Sequence, residues 1–185
     1  LLYQLKNSEK PSIWIEKQKQ NNSLKINFPD LYHCIDVEQN KYHKYDVYYH
    51  IIYTCDAAPK RLDLRLSALF HDIGKPKSRQ EKNGQYIFYN HEIISTKIAY
   101  DILNKWKIDE KLIKKVTLLV RHHMFHYQEI WTDSAVRRII KKVGIDNIED
   151  LFLLRQADRE GNGFRKGLSI KVFDFKKHID RIIEE

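Results

Sequence analysis

Apolar residues recur at helical spacing along most of this chain, and their phase predicts its elements. Val47, Ile51 and Cys55 share one face of a helix expected over 46–56, with Asp46 placed to cap its first turn. Leu62, Leu66, Leu69 and Phe70 mark a second helix over 61–72, which runs into His71 and Asp72 and breaks at Gly74 and Pro76. Over 109–123 the stripe is Leu112, Ile113, Val116, Leu119, Val120 and His123, with Asp109 as cap. "TDSAVRRIIKKVG" supplies a Thr132 cap, core positions Val136, Ile139, Ile140 and Val143, and Gly144 as a stop. Helices also fit 92–106, 147–160 and 169–183. The four prolines lie at or before Pro76 and the glycines fall between periodic stretches, so the fold class expected is all-α. The exception is "SRQEKNGQYIFY", where Asn83-Gly84 precedes a β-prone run and predicts a small hairpin near 77–89. Residues 1–40 are polar around "EKQKQNNSLK" and apolar near Ile13, Trp14 and Ile15. They read as an N-terminal helical extension, a remnant of an upstream region, ahead of a main domain over 41–185.

Composition narrows the class. At 185 residues, with 42% hydrophobic and 31% charged positions, the chain suits one globular domain with its own core. It contains no run of about 18 apolar residues, the length a bilayer span needs, so no membrane partner is expected. The opening "LLYQLKNSEK" has no methionine and no secretory-signal pattern, which reads as a trimmed chain. Cys34 and Cys55 lack metal-type spacing and are too few for a disulfide framework, so a reducing, cytoplasmic setting is expected. A formal charge of +8 points to a phosphate-bearing partner. The lysines come as scattered pairs (Lys114 and Lys115, Lys141 and Lys142, Lys176 and Lys177), which is also the pattern of a solvated face.

The nine histidines change the picture through their placement. His50 lies at the edge of the core face of its helix, where a lone histidine also serves as a satisfied core residue. His71 and Asp72 end the next helix, where the negative end of the helix dipole disfavours a carboxylate. His91 precedes Ile94, Ile98 and Ile102 on an inward stripe. His122 and His123 close the 109–123 helix, and His123 continues its apolar stripe. In "NIEDLFLLRQADRE" the steps from Ile148 through Leu151 and Arg155 put Asp158 on the core face. A buried carboxylate is costly unless paired or metal-bound, and Arg155 is its alternative partner. Together, five or six imidazoles and two carboxylates point inward from separate helices, a mixed nitrogen and oxygen set that suits a divalent first-row metal.

The order His50, His71-Asp72, Asp158 resembles the H...HD...D signature of HD-domain metal-dependent phosphohydrolases. "YHKYDVYYH", "LSALFHDIGKPKS", "YNHEIIS", "LLVRHHMFH", "WTDSAVRRIIKKVG" and "DLFLLRQAD" are similar, in order and spacing, to the HD region of bacterial tRNA nucleotidyltransferases and poly(A) polymerases, over about residues 40–165. The glycine-rich turn and Asp-x-Asp motif of that family's polymerising head do not occur in these 185 residues, and no Gly-Tyr-Pro follows the dyad as in the cyclic-di-nucleotide branch.

The resemblance implies an HD-domain helical bundle in which His50, His71, Asp72 and Asp158 hold one divalent metal ion. His91 with His122 or His123 holds a second in two-metal relatives. Mn, Ni, Co, Fe, Mg and Zn are not distinguished, nor is one ion from two. Asp72 then serves catalysis as a shared ligand. Lys75 either reaches a phosphate oxygen as a point charge or answers the helix dipole. Arg121, Arg137 and Arg138 are candidates for a phosphate clamp, and His126, Tyr127 and Trp131 for a base-stacking mouth. The activity implied is hydrolysis of a phosphate ester of a small molecule, nucleotide or RNA end, with 2',3'-cyclic phosphates suggested by the tRNA-processing relatives. A binding module for RNA, tRNA included, is the alternative.

Overall fold

Asp46 starts the helix on which the rest of the molecule packs. Its Oδ1 accepts from the Tyr49 amide at 2.8 Å, capping α5 (Val47–Ala57), and its Oδ2 accepts from the Asp36 amide at 2.8 Å, tying the preceding segment to the same point. The structure, a computed structural model, describes residues 1–40, 43–125, 131–163, 167 and 169–184. Most of α5 is buried, between α6 (Leu62–Phe70) and the long α11 (Ile145–Gly161). Helix α6 is buried at every position from Leu64 to Phe70, so it forms the centre of the bundle rather than one face of it. On its far side lies α9 (Glu110–His122), capped by the Asp109 carboxylate, and against α9 runs α8 (His91–Lys105). Two outer helices, α10 (Asp133–Val143) and α12 (Ile170–Glu184), cover one end, where the rings of Phe125, Trp131 and Phe152 meet Phe175 at 5.5–5.8 Å. The molecule is a helical bundle, and among the described residues no helix is long and apolar enough to cross a membrane.

Residues 1–40 form four short helices, α1 (Leu2–Asn7), α2 (Pro11–Gln20), α3 (Ser23–Asn27) and α4 (Pro29–Tyr32). Their Leu5, Ile15, Leu24, Phe28 and Leu31 are buried in the core that α5 and α6 share. The buried Arg65 of α6 donates to the carbonyls of Leu5, Ser8 and Glu9, so one guanidinium satisfies the backbone beyond the end of α1.

Between α6 and α8 the chain makes the short α7 (Lys75–Ser78) and a hairpin of β1 (Arg79–Lys82) and β2 (Gln85–Phe88), paired from Arg79 opposite Phe88 to Lys82 opposite Gln85. Asn83 and Gly84 turn it with φ of 52° and 69°, the positive values that a two-residue turn requires. Gly74 behaves differently from the expected helix stop. Helix α6 ends at Phe70, and Gly74 keeps an ordinary φ of −82°. A Cβ there would lie 2.6 Å from the Ser95 amide nitrogen and 2.7 Å from the His91 carbonyl. Gly74 therefore lets the turn carrying His71 and Asp72 touch the backbone of α8, and Ser95 Oγ accepts from its amide at 2.9 Å.

Gly161 does the same for α5 and α11. A Cβ there would fall 2.1 Å from Thr54 Oγ1 and 2.8 Å from the Thr54 amide nitrogen. Gly161→Ala is expected to cost about 1–3 kcal/mol, the usual range for overpacking, read as a lower urea midpoint at unchanged m-value. An unaltered midpoint would mean that the two helices separate at no cost.

Candidate metal centre

The six candidate ligands reach the centre from five places along the chain. His50 comes from the middle of α5, His71 and Asp72 from the turn after α6, His91 from the first position of α8, His123 from just beyond α9, and Asp158 from the last turn of α11. All six are buried. Three of the four imidazoles are oriented the same way, with Nδ1–H donating to the carbonyl three residues back: His71 to Ala68 at 2.7 Å, His91 to Phe88 at 2.8 Å and His123 to Val120 at 2.7 Å. A helix end leaves its last carbonyls without an intrahelical partner. For His71 and His123 that is the acceptor used, which is why these ligands sit where helices stop. A carbonyl only accepts, so in the neutral ring Nδ1 keeps the hydrogen and Nε2 presents a lone pair to the centre.

Asp72 divides the lone pairs into two sets. Its Oδ2 lies 3.2 Å from His50 Nε2 and 3.3 Å from His71 Nε2, while its Oδ1 lies 3.1 Å from His91 Nε2 and 3.6 Å from His123 Nε2. Asp158 Oδ1 joins the first set, 3.2 Å from His50 Nε2 and 3.8 Å from His71 Nε2. Within the sets, His50 Nε2 and His71 Nε2 approach to 3.0 Å, and His91 Nε2 and His123 Nε2 to 3.4 Å. Several nitrogen and carboxylate-oxygen donors converge here, and the triads His50, His71, Asp72 and Asp72, His91, His123 are each compact enough to hold a metal ion. The donor set fits one or two divalent ions, with Asp72 placed to serve both.

The electrostatics follow from burial and these contacts. Burial opposes ionisation of Asp72. The neighbouring His71 ring, the Lys75 ammonium and the His123 and His50 imidazoles outweigh it, and the carboxyl is held well below the usual carboxylate range. Asp158 is held down in the same way, against burial, by His50 and Arg155. For His50, burial resists protonation, but the bonds to Asp158 and Asp72 prevail and raise the imidazole to about 9. His123 is shifted the other way, since burial outweighs its bond to Asp72. Lys75 is buried, and its Nζ donates to Asp72 Oδ2 and to Gln39 Oε1, both at 2.6 Å. The Arg155 guanidinium donates to Asp158 Oδ2 at 2.6 Å, the ion pair that the spacing in α11 anticipates.

Asp72, His91, His123 and Asp158 of the cluster line a cleft of about 500 Å³, together with Arg155, Arg159 and Asn162 and with the β2 residues Tyr86, Ile87 and Phe88. Nothing in the sequence pattern signals His43, Asn40, Asn162 or Arg159, which lie in loops or on the last turn of α11 where no apolar period reports direction. His43 packs edge-on against His50 with ring centroids 5.3 Å apart, and its Nδ1 meets Asn40 Oδ1 at 2.9 Å. Burial and the charges of Lys75 and His50 push it down to about 3, so it is neutral.

Several expected residues lie elsewhere. His122 is half-buried on the wall of a separate groove, one residue and about 100° around α9 from the direction that His123 takes. Arg121 is spent on Glu92 at 3.0 Å, and Arg137 and Arg138 lie exposed on α10 rather than in the cleft. Trp131 lines the same groove as His122 and packs on Phe175, not at the cleft mouth. His126 and Tyr127 lie outside the described residues.

Manganese content after dialysis, measured by elemental analysis, is expected to fall to background in Asp72→Ala and to persist in His122→Ala. Retention by Asp72→Ala would break the two-set geometry. Because the metal-free His50 keeps a proton until about pH 9, ion binding must displace it, so apparent affinity should rise about tenfold per pH unit between 7 and 9 and level off above. Calorimetric titration in buffers of different ionisation enthalpy checks this through the proton released.

A family model described as HD domain matches residues 41–162. The CC-adding tRNA nucleotidyltransferase of Thermus thermophilus is 33% identical over 119 residues, covering 63% of this chain and 26% of that protein. The A-adding tRNA nucleotidyltransferase of Deinococcus radiodurans is 25% identical over 167 residues, covering 86% of this chain and 38% of that protein. The chain thus spans about a quarter to two-fifths of the length of these relatives. The matched region spans about two thirds of the chain and contains all six clustered residues, and this chain belongs to the HD domain family.

Proposed function

We propose that this chain is a metal-dependent phosphohydrolase acting on phosphate esters of nucleotides or RNA ends, 2',3'-cyclic phosphates among them. The observation that carries the reading is Asp72, a buried carboxylate with one oxygen facing His50 and His71 and the other facing His91 and His123, at the floor of an open cleft. When bound, divalent ions at these two sets supply Lewis-acid polarisation of phosphoryl oxygens and acidify water. The protein's own residues do the rest. His50, His71 and Asp158 hold one ion position, His91 and His123 the other, and the carbonyls behind three of the rings keep each Nε2 lone pair aimed inward. Lys75 and Arg155 sit at the rim of the cluster, each already bonded to a carboxylate, and offer positive charge to the phosphoryl oxygens of an entering ester. In a cyclic phosphate, water adds to phosphorus, one ribose P–O bond breaks, and the departing ribose oxygen takes a proton to leave a phosphomonoester. His43, neutral and fixed through Asn40, borders the space where the ribose oxygens would lie.

The alternative, an RNA-holding module from a longer nucleotidyltransferase, is favoured by two observations: both relatives are named as tRNA nucleotidyltransferases, and the chain carries a net charge of +8. The ligand set is complete without any such role, which is why the hydrolase reading ranks first.

With manganese, nickel, cobalt or magnesium added in turn, purified protein is expected to open 2',3'-cyclic nucleotides, and Asp72→Ala to lose at least about a hundredfold in kcat/KM. Lys75→Met should lower kcat by about tenfold or more while retaining metal. Turnover by the wild type no greater than by Asp72→Ala, with every metal, would overturn the hydrolase reading.

A further inference from the structure

The metal cleft has a neighbour. Met124, 41% exposed, lines both the cleft and a second groove of about 450 Å³ on the outer side of α9. That groove is bounded by Arg121, His122, Trp131 and Lys142, with Ile139 and Leu151 among its apolar lining residues. Two features set it apart from an ordinary surface hollow. The first is charge. From Ser134 to Ile145 the chain carries Arg137, Arg138, Lys141 and Lys142 and no acidic residue, and all four cations are exposed on α10, with Lys142 lining the groove itself. The acids nearby are engaged: Asp133 accepts from His178 and Arg181, and Glu92 from Arg121. The second is the aromatic lining. The Trp131 ring is held edge-on against Phe175 at 5.7 Å, a fixed surface of the kind on which a base stacks. His122, kept neutral by burial and by the charges of Arg121 and Lys142, adds a second ring able to accept or donate a hydrogen bond.

We infer that this groove is a nucleotide subsite for single-stranded RNA: an RNA end places its terminal phosphate in the metal cleft, crosses Met124, and seats its neighbouring base against Trp131 while its backbone follows the basic face of α10. The inference rests on the phosphohydrolase reading for what happens in the cleft, but the groove stands on its own residues. It assigns the molecule an RNA end in preference to a free mononucleotide, since a mononucleotide fills the cleft alone and gains nothing from the groove. A stacking platform and a cationic track together are what sequence-tolerant binding of single strands uses.

Two measurements on the whole chain test it. In the first, fluorescence anisotropy of a labelled five-nucleotide RNA is followed against salt. Trp131→Ala and the paired variant Lys141→Ala, Lys142→Ala should each weaken binding by about tenfold, and the lysine variant should reduce the salt slope by about 0.7 for each phosphate it no longer neutralises. The lysines are exposed, so that variant reports on binding even if Trp131→Ala unfolds. In the second, kcat/KM is compared on a 2',3'-cyclic mononucleotide and on a short RNA ending in the same group. Wild type should prefer the RNA, and the lysine variant should lower that preference about tenfold. RNA binding that is equal in wild type and the lysine variant overturns the subsite. Binding that depends on the groove, without turnover of either substrate, overturns the hydrolase reading and leaves the subsite standing.

Discussion

Burying two carboxylates next to four imidazoles is the constraint around which this molecule is arranged. An unpaired buried carboxylate costs several kcal/mol, and Asp72 and Asp158 avoid that cost only because helices from distant parts of the chain converge on them. Asp72 takes Lys75 and two pairs of histidines; Asp158 takes Arg155 and His50. The bundle exists to bring α5, α6, α8, α9 and α11 to one point. The glycines that admit close backbone approaches, Gly74 against α8 and Gly161 against α5, lie on the segments that deliver these residues.

The way histidines are mounted has a simple logic. Three of them use the carbonyl three residues back, and for His71 and His123 this carbonyl is free because a helix has just ended. Ending a helix inside a protein normally creates unsatisfied acceptors. Here the unsatisfied acceptors are what orient the candidate ligands, and the same termination leaves the ring facing the centre. His50 is the exception, in mid-helix with Nδ1 unpartnered among the described residues. Its orientation is held by Asp72 and Asp158 on one side and by the edge of the His43 ring on the other.

Outside the centre the molecule divides its charge unevenly. Many of the lysines and arginines seen in the sequence are taken up in pairs, Lys114 with Glu110, Lys115 with Asp150 and Lys176 with Glu149 among them. An exposed pair such as Lys114 with Glu110 adds little stability, but all of these pairs remove cations from the pool that a polyanion would meet. Exposed cations also lie along α10, whose Lys142 lines a groove that shares Met124 with the metal cleft. A net charge that looks evenly scattered along the chain is therefore directional in space.

The sequence by itself determined the helices and the inward direction of most ligands. Asp46, Asp109 and Thr132 cap where their spacing to the apolar stripes requires, and Asn83-Gly84 makes the hairpin, because these are local interactions within a few residues. The period of α9 also favoured His123 over His122, since His123 lies on the stripe. Only the tertiary structure decided how those directions combine: that Asp72 splits four imidazoles into two sets, that Gly74 serves a close approach to α8 instead of stopping a helix, and that His43 and Arg159 reach the cleft. It also turned Arg121 and Trp131 away from the cleft, toward the neighbouring groove. The reason is physical. A helical period fixes which way a side chain leaves its own axis, but whether two such directions meet depends on the crossing of helices far apart in sequence, and no local pattern records that crossing.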